Sequence, residues 1–125
     1  MTVLVVGLGG AGGAIARYFV GMWVQGLTGA AFPWGTFTVN LTGSFALGFA
    51  LAWLPYAAPA PELRALVAVG FLGSFTTFSA FSFEALAMVR DGAWVPAAAY
   101  TLGSVALGVL GVAAGAVLAT TLGRA

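Results

Sequence analysis

The spacing of the charged residues constrains this chain more than any other feature. Its charged side chains are four arginines and three carboxylates, at Arg17, Glu62, Arg64, Glu84, Arg90, Asp91 and Arg124. Residues 18–61, 65–83 and 92–123 carry no charge. A helix needs about 20 apolar residues to cross the hydrocarbon core of a bilayer, and each interval is about that long or longer. Charged residues at 6% of the chain cannot form the polar shell of a soluble domain, so the sequence predicts an integral membrane protein.

Turn residues divide the apolar sequence into four parts. Residues 25–33 are rich in glycine and lead into Pro33-Trp34, which is typical of a helix start with an aromatic anchor at the membrane interface. A second break contains three prolines, Pro55, Pro59 and Pro61. We therefore predict one all-α transmembrane domain, 1–125, with helices at about 3–24, 34–54, 63–89 and 94–122. No basic region precedes the first apolar stretch, so we expect no cleaved signal peptide.

The composition also excludes several classes of function. The chain has no Cys and no His, which rules out thiolate metal sites, zinc chemistry and hydrolytic triads. A net charge of +1 leaves no basic patch for nucleic acid. Residues 7–12 satisfy the dinucleotide pattern G-x-G-x-x-G, but the first carboxylate, Glu62, lies too far along the chain to hold a ribose. We interpret Gly9 and Gly13 as small residues for close helix packing, and we expect no enzyme activity.

The arginines give almost no signal for orientation in the membrane. With four spans, Arg17 and Arg90 lie towards one side, and Arg64 and Arg124 lie towards the other. The positive-inside rule therefore predicts insertion in both orientations, and a mixed population naturally forms antiparallel dimers. The alternative is a single orientation set by a feature outside this count, such as the N-terminal amine.

Two stripes of small or polar residues follow single faces of the second and fourth predicted helices. They comprise Thr36, Asn40, Ser44 and Gly48, and then Tyr100, Ser104, Gly108, Gly111 and Gly115. Such stripes can be packing seams joined by hydroxyl groups, and we interpret the glycines in this way. An amide at mid-depth is costly to bury unless it bonds a partner or lines a wet path. Asn40, Tyr100 and Ser104 are therefore candidates for a polar path.

The third predicted helix is weakened near its middle. Residues 70–83 contain two glycines and five hydroxyl residues, which favours a break near Gly73 to Thr77. Unwound carbonyls at this depth need protein or water to receive them, and they are natural ligands for a small hard cation. Phe75, Phe78 and Phe81 recur at every third residue. Such a repeat usually indicates packing, although the positively polarised ring edges can also face an anion.

Several segments resemble the Fluc fluoride channels, also called CrcB proteins. The resemblance extends over all four helices, and its specific segments are GGAGGAIARY at 9–18, WGTFTVNLTGSF at 34–45 and TTFSAFS at 76–82. It implies an antiparallel, dual-topology homodimer with two fluoride pores. It also implies a multi-pass protein of the prokaryotic cell (inner) membrane that lets fluoride leave the cytoplasm passively.

The resemblance further implies roles for individual residues. The fluoride pore would be lined by Asn40, Thr77, Phe78, Ser79, Phe81, Tyr100 and Ser104. In that pore the amide and the hydroxyls would act as donors, and the two aromatic rings would come from the two subunits. The backbone carbonyls of Gly73 and Thr76, doubled by the dimer axis, would hold a structural sodium ion (Na+). Some relatives carry a second hydroxyl at the position of Gly108, and Arg17 and Glu84 would either tune the vestibules or anchor helix ends at the interface.

Two other functions are compatible with a small four-helix membrane protein. A small multidrug transporter needs a carboxylate inside the membrane to alternate between a proton and a cationic drug. The first helix has no carboxylate, and Glu84 lies towards the end of the third helix. A non-transporting scaffold held together by the glycine seams would leave Asn40 and the hydroxyl groups unexplained.

Overall fold

The computed structural model describes residues 1–57 and 60–124. Within these ranges the chain forms helices and turns but no strand, and four helical spans are long and apolar enough to cross a membrane. The spans are Thr2–Thr28, Trp34–Ala57, Pro61–Arg90 and Trp94–Gly123. They confirm the four predicted helices, and the first two run a few residues beyond the predicted ends. Pro59, part of the predicted second break, and Ala125, the last residue of the predicted domain, lie outside the described residues.

Three of the spans are single α-helices and the third is composite. Helices α1 (Thr2–Thr28), α2 (Trp34–Ala57) and α6 (Trp94–Gly123) each form one span. The third span consists of α3 (Pro61–Arg64), a π-helical segment (Ala65–Leu72), α4 (Gly73–Phe75) and α5 (Phe78–Arg90). In the π segment the backbone bonds reach one residue further back than in an α-helix, as where the Gly73 N–H donates to the Ala68 carbonyl.

Glycines let the helices approach at backbone distance. Helix α2 packs along α6, and α1 packs along the π segment. A Cβ atom added at Gly48 would fall on the carbonyl oxygen of Val112, and one added at Gly13 would fall on the carbonyl oxygen of Phe71. The interpretation of the glycines as packing residues is confirmed at these positions, because any larger side chain would force the helices apart.

The third span breaks at two threonines. Thr76 has φ −84° and ψ 157°, and Thr77 has φ −146° and ψ 125°, so both are extended. The hydroxyl of Thr77 accepts the N–H of Ala80 at 3.2 Å, which makes Thr77 the N-cap of α5. The predicted break is confirmed at its C-terminal end. Gly73 itself keeps right-handed helical angles, φ −62° and ψ −32°, because the π segment continues directly into α4.

A glutamine clasp joins the end of α1 to the start of α2. The Nε2 group of Gln25 donates to the carbonyls of Ala30 at 2.8 Å and Phe32 at 3.1 Å. Its Oε1 atom accepts the N–H of Gly35 at 3.0 Å. The helix end turns at Gly29, where φ is 57°, a left-handed angle that glycine adopts without strain. The clasp fixes the connection between α1 and α2.

Candidate functional site

One amide side chain binds both the backbone N–H and the backbone carbonyl of Thr77, at the break. The Nδ2 group of Asn40 donates to the carbonyl of Thr77 at 3.0 Å, and the Thr77 N–H donates to Asn40 Oδ1 at 2.7 Å. Helix α2 therefore replaces the hydrogen bonds that Thr77 loses by leaving helical geometry. An amide nitrogen carries two N–H groups, and this pair uses one of them. Asn40 thus keeps a second donor after satisfying Thr77.

A cavity of about 240 Å³ lies beside this break, between α2, α5 and α6. Its lining residues are Asn40, Ser44, Thr76, Thr77, Phe78, Phe81, Ser104 and Val105. None of them is charged, and several carry neutral hydrogen-bond donors. The cavity brings together five of the residues predicted from the sequence to line a pore, namely Asn40, Thr77, Phe78, Phe81 and Ser104.

The two phenyl rings at the cavity differ in their surroundings. Phe81 is half-buried and packs against Tyr100, with ring centroids 5.1 Å apart. Phe78 is 79% exposed, and its centroid lies 5.8 Å from that of Phe81. Phe75 stacks instead on Phe71 at 6.1 Å and does not line the cavity. The break therefore separates Phe75 from the other two rings and leaves Phe78 projecting from the chain.

Ser104 places a buried hydroxyl group at the cavity wall. Its Oγ atom is shielded from solvent and has no hydrogen-bond partner within residues 1–57 and 60–124. An unpaired buried hydroxyl is unfavourable, and in a native protein it usually indicates a water or ligand at that point. Ser44 also lines the cavity, although sequence reasoning left it out of the pore. Its place in the polar stripe of α2, one turn after Asn40, was the signal that could have found it.

Ser79 and Tyr100 lie outside this cavity. Ser79 is exposed, and its Oγ atom lies 3.4 Å from the hydroxyl of Thr77. Tyr100 is fully buried, and its hydroxyl donates to Glu84 Oε2 at 2.7 Å. The hydroxyl of Thr36 donates to Glu84 Oε1 at 2.7 Å. The structure thus gathers Thr36, Glu84 and Tyr100 into a second polar group, which the sequence did not indicate because its members come from three separate helices.

This second group faces another cavity, near the glutamine clasp. Its volume is about 320 Å³, and its lining residues are Gly21, Met22, Gln25, Ala31, Pro33, Gly35, Thr36 and Glu84. Glu84 is half-buried, so it is neither a fully exposed anchor nor a buried unpaired charge. Two hydroxyl donors to one carboxylate can stabilise its negative charge inside the protein.

The other polar feature at the break is a carbonyl-rich helix end. Arg17 Nε donates to the carbonyl of Ser74 at 3.0 Å, where α4 ends and its carbonyls carry partial negative charge. Beside this helix end, Gly73 is exposed and Thr76 is half-buried. In the described part of the chain, no group of three or more His, Cys, Asp or Glu residues could hold a metal. Hard cations prefer oxygen ligands, and backbone carbonyls are among them.

Comparisons with known proteins agree over most of the chain. The family described as CrcB-like protein, Camphor Resistance (CrcB), matches residues 4–116. The fluoride-specific ion channel FluC of Rhizobium meliloti is 46% identical over 93% of this chain and 94% of its own length. FluC of Hahella chejuensis is 48% identical over 90% of both chains. FluC of Thermus thermophilus is 49% identical over 86% of this chain and 84% of its own length.

Proposed function

Because this chain belongs to the CrcB family, we propose that it is a fluoride-specific ion channel, the function in the names of its relatives. Those relatives are named as channels, and the family is not one of enzymes. The observation that carries the proposal is the uncharged cavity at the break in the third span. There, neutral amide and hydroxyl donors lie beside two phenyl rings in a protein with four membrane-spanning helices.

The chemistry of fluoride suits such a cavity. Fluoride is small and strongly hydrated, so it needs hydrogen-bond donors in place of water before it can leave bulk solution. A conducting pore also needs binding weak enough for release, which favours several neutral donors over a fixed cation. Asn40 and Ser104 offer N–H and O–H groups, and the phenyl edges of Phe78 and Phe81 carry partial positive charge. The guanidinium Nε of Arg17 is bound to a carbonyl instead.

We further propose that two copies assemble as an antiparallel, dual-topology homodimer with two pores. The balanced arginine count supports insertion in both orientations. The exposure of Phe78 supports a dimer. Its ring is 79% exposed beside the cavity, so it can reach a pore that is completed at the interface between two subunits. Each pore would then contain one ring from each subunit. A C2 axis repeats any such arrangement, which gives two pores per dimer.

A structural sodium ion at the dimer centre belongs to the same proposal. The backbone carbonyls of Gly73 and Thr76 would hold it, with each subunit supplying two oxygens. Both residues adjoin the break, and Gly73 is exposed, which supports this assignment, as does the preference of a hard ion for oxygen ligands. The ion would neutralise carbonyl dipoles that meet across the axis, and it takes no part in permeation.

In the cell, we propose that the protein lies in the prokaryotic inner membrane and lets fluoride leave passively. Hydrogen fluoride is a weak acid that crosses membranes as a neutral molecule and ionises in the cytoplasm. The anion then leaves through the channel down its electrochemical gradient. Movement down this gradient needs no energy source.

Efflux from liposomes tests this function directly. The purified protein is reconstituted into vesicles loaded with fluoride or chloride, and ion release is followed with selective electrodes after a potassium ionophore is added. We expect rapid fluoride release and little chloride release. A proton-coupled multidrug transporter or a scaffold would release neither anion, so the absence of fluoride efflux from a folded protein would reject the channel.

A further inference from the structure

We propose that Ser44 is a fluoride-binding hydroxyl of the pore, acting across the cavity from Ser104 at the level where α6 presents Gly108. This inference rests on the proposed channel function and deepens it, because it adds a donor to the same cavity. Ser44 Oγ lies 3.7 Å from the point where a side chain at position 108 would begin, so α2 offers a hydroxyl at a level where α6 has none.

The packing of α2 on α6 places these residues together. A Cβ atom added at Gly108 would lie 3.7 Å from Ser44 Oγ. Contacts between the two helices advance in the same direction, since Gly48, one turn after Ser44, meets Val112, one turn after Gly108. Ser44 therefore reaches the surface of α6 one turn beyond Ser104. The cavity wall lacks a side chain on α6 at this level, and α2 supplies the hydroxyl.

Helical hydroxyls in this protein commonly bond to their own backbone. Six of them donate to a carbonyl three or four residues back, namely Thr28, Thr42, Ser82, Thr101, Thr120 and Thr121. Ser104 Oγ is buried without a hydrogen-bond partner within residues 1–57 and 60–124. Ser44 also lines the cavity from a continuous helix, and no back-bond of this kind involves it in the described residues. Their protons are therefore available for an acceptor inside the cavity, whereas a back-bonded hydroxyl has its proton in use.

These two hydroxyls complete a set of neutral donors. The second amide N–H of Asn40 is the third member, because its first N–H is bound to the Thr77 carbonyl. Phe81 and Val105 form apolar wall beside them, and a less polar surrounding strengthens a hydrogen bond to an anion. Fluoride accepts hydrogen bonds and donates none, so it matches a cavity with three free donors. Without Ser44, an anion beside Ser104 would lose a donor on the α2 side.

The test compares Ser44→Ala with Thr42→Ala in fluoride-loaded liposomes. Thr42 lies on the same helix, is exposed and already bonds to Thr38, so its removal is a matched control. We expect Ser44→Ala to lower fluoride flux about tenfold, the effect of losing one hydrogen bond to a charged group. The fluoride concentration for half-maximal flux should rise as well, while Thr42→Ala remains at the wild-type value. Elution volume and Tm should be those of the wild type in both.

A transplanted hydroxyl separates a donor from a space-filling side chain. Adding Gly108→Ser to Ser44→Ala returns a hydroxyl to the same level from the opposite helix, and we expect it to restore most of the flux. Gly108→Ala in the same background fills the space without a donor and should not restore flux. Equal rescue by both changes would overturn the inference, since volume alone would then explain the result.

The outcomes distinguish this inference from the function on which it depends. A folded wild-type protein without fluoride flux rejects the channel itself. A conducting wild type with equal fluxes in Ser44→Ala and Thr42→Ala rejects only the role of Ser44. If Ser44→Ala lowers the Tm, Ser44→Cys takes its place, because the thiol keeps the side-chain size but donates weakly. Wild-type flux and half-maximal concentration in Ser44→Cys would also overturn the inference.

Discussion

The substitution Asn40→Asp provides the strictest test of the cavity as the fluoride path. The two side chains have nearly the same shape, so the carboxylate can still accept the Thr77 N–H, which lies 2.7 Å from Oδ1 of Asn40 in the wild type. Its second oxygen replaces the amide group that donates to the Thr77 carbonyl at 3.0 Å. The variant therefore loses one hydrogen bond at the break and adds one negative charge to the cavity wall.

The electrostatic effect on flux follows from the place of Asn40 in the cavity wall. An ion in contact with this wall passes about 4 Å from the side chain at position 40. Two like charges about 4 Å apart repel by about 4 kcal/mol at an effective dielectric constant of about 20. Such a barrier lowers a rate by about 10³-fold. Loss of the hydrogen bond should reduce the free energy of unfolding by about 1–3 kcal/mol, because the Thr77 carbonyl is left unpaired.

Fluoride efflux from liposomes and thermal unfolding of the purified protein measure the two effects separately. Asn40→Ala is the matched variant, since it loses both hydrogen bonds to Thr77 and adds no charge. It should be at least as unstable as Asn40→Asp but should pass more fluoride. The reasoning is refuted if Asn40→Asp conducts as fast as Asn40→Ala, because the ion then never approaches this wall of the cavity.

Three further predictions concern the rings, the dimer and the cation. Phe78→Ile should abolish most fluoride flux, because it removes a positively polarised ring edge beside the cavity. Phe81→Ile should also lose flux, and it should lower the Tm by losing the contact with Tyr100. Phe75→Ile should conduct, because Phe75 does not line the cavity. Wild-type flux in both Phe78→Ile and Phe81→Ile would mean that the ring edges do not meet the ion. Tags at the C-terminus should be accessible to a membrane-impermeant reagent from both sides of the membrane. Two or three lysines added at the C-terminus should change the ratio of the two orientations and lower flux. A tag that is accessible from one side only would contradict dual topology. Prolonged removal of sodium should lower flux or dissociate the dimer, as should replacement of Gly73 by a bulky residue; unchanged flux without sodium argues against the structural ion.

The break at Thr76 and Thr77 illustrates what local sequence could predict. Glycine, threonine and serine all weaken a helix through their own backbone and side-chain preferences, so their concentration in residues 70–83 was sufficient to place the break. The same residues did not predict the π segment before it. Its geometry accompanies close packing against α1, where Gly9 and Gly13 admit the backbone of another helix, and nothing local in residues 65–72 specifies that contact.

The candidate site shows the same division. Asn40 and Ser104 could be selected from the sequence because a polar group at mid-depth in a membrane has few acceptable explanations. Ser44 and Tyr100 belonged to the same inward-facing stripes, but their environments differ. Ser44 lies beside Gly108 at the cavity, whereas the hydroxyl of Tyr100 donates to the carboxylate of Glu84. Periodicity gives the face of a helix on which a residue lies and says nothing of which neighbour that face will meet.

By itself, the sequence determined the membrane location, the four spans and the interruption of the third. Each of these depends on hydropathy, charge spacing or backbone propensity within about 20 consecutive residues, which a single segment expresses without its neighbours. The tertiary structure decided which donors share a cavity. Asn40 comes from α2, Thr77 from the break and Ser104 from α6, and only the packing of these helices brings them to one space. Such packing depends on side-chain volumes at positions far apart in the chain, and no local pattern records them.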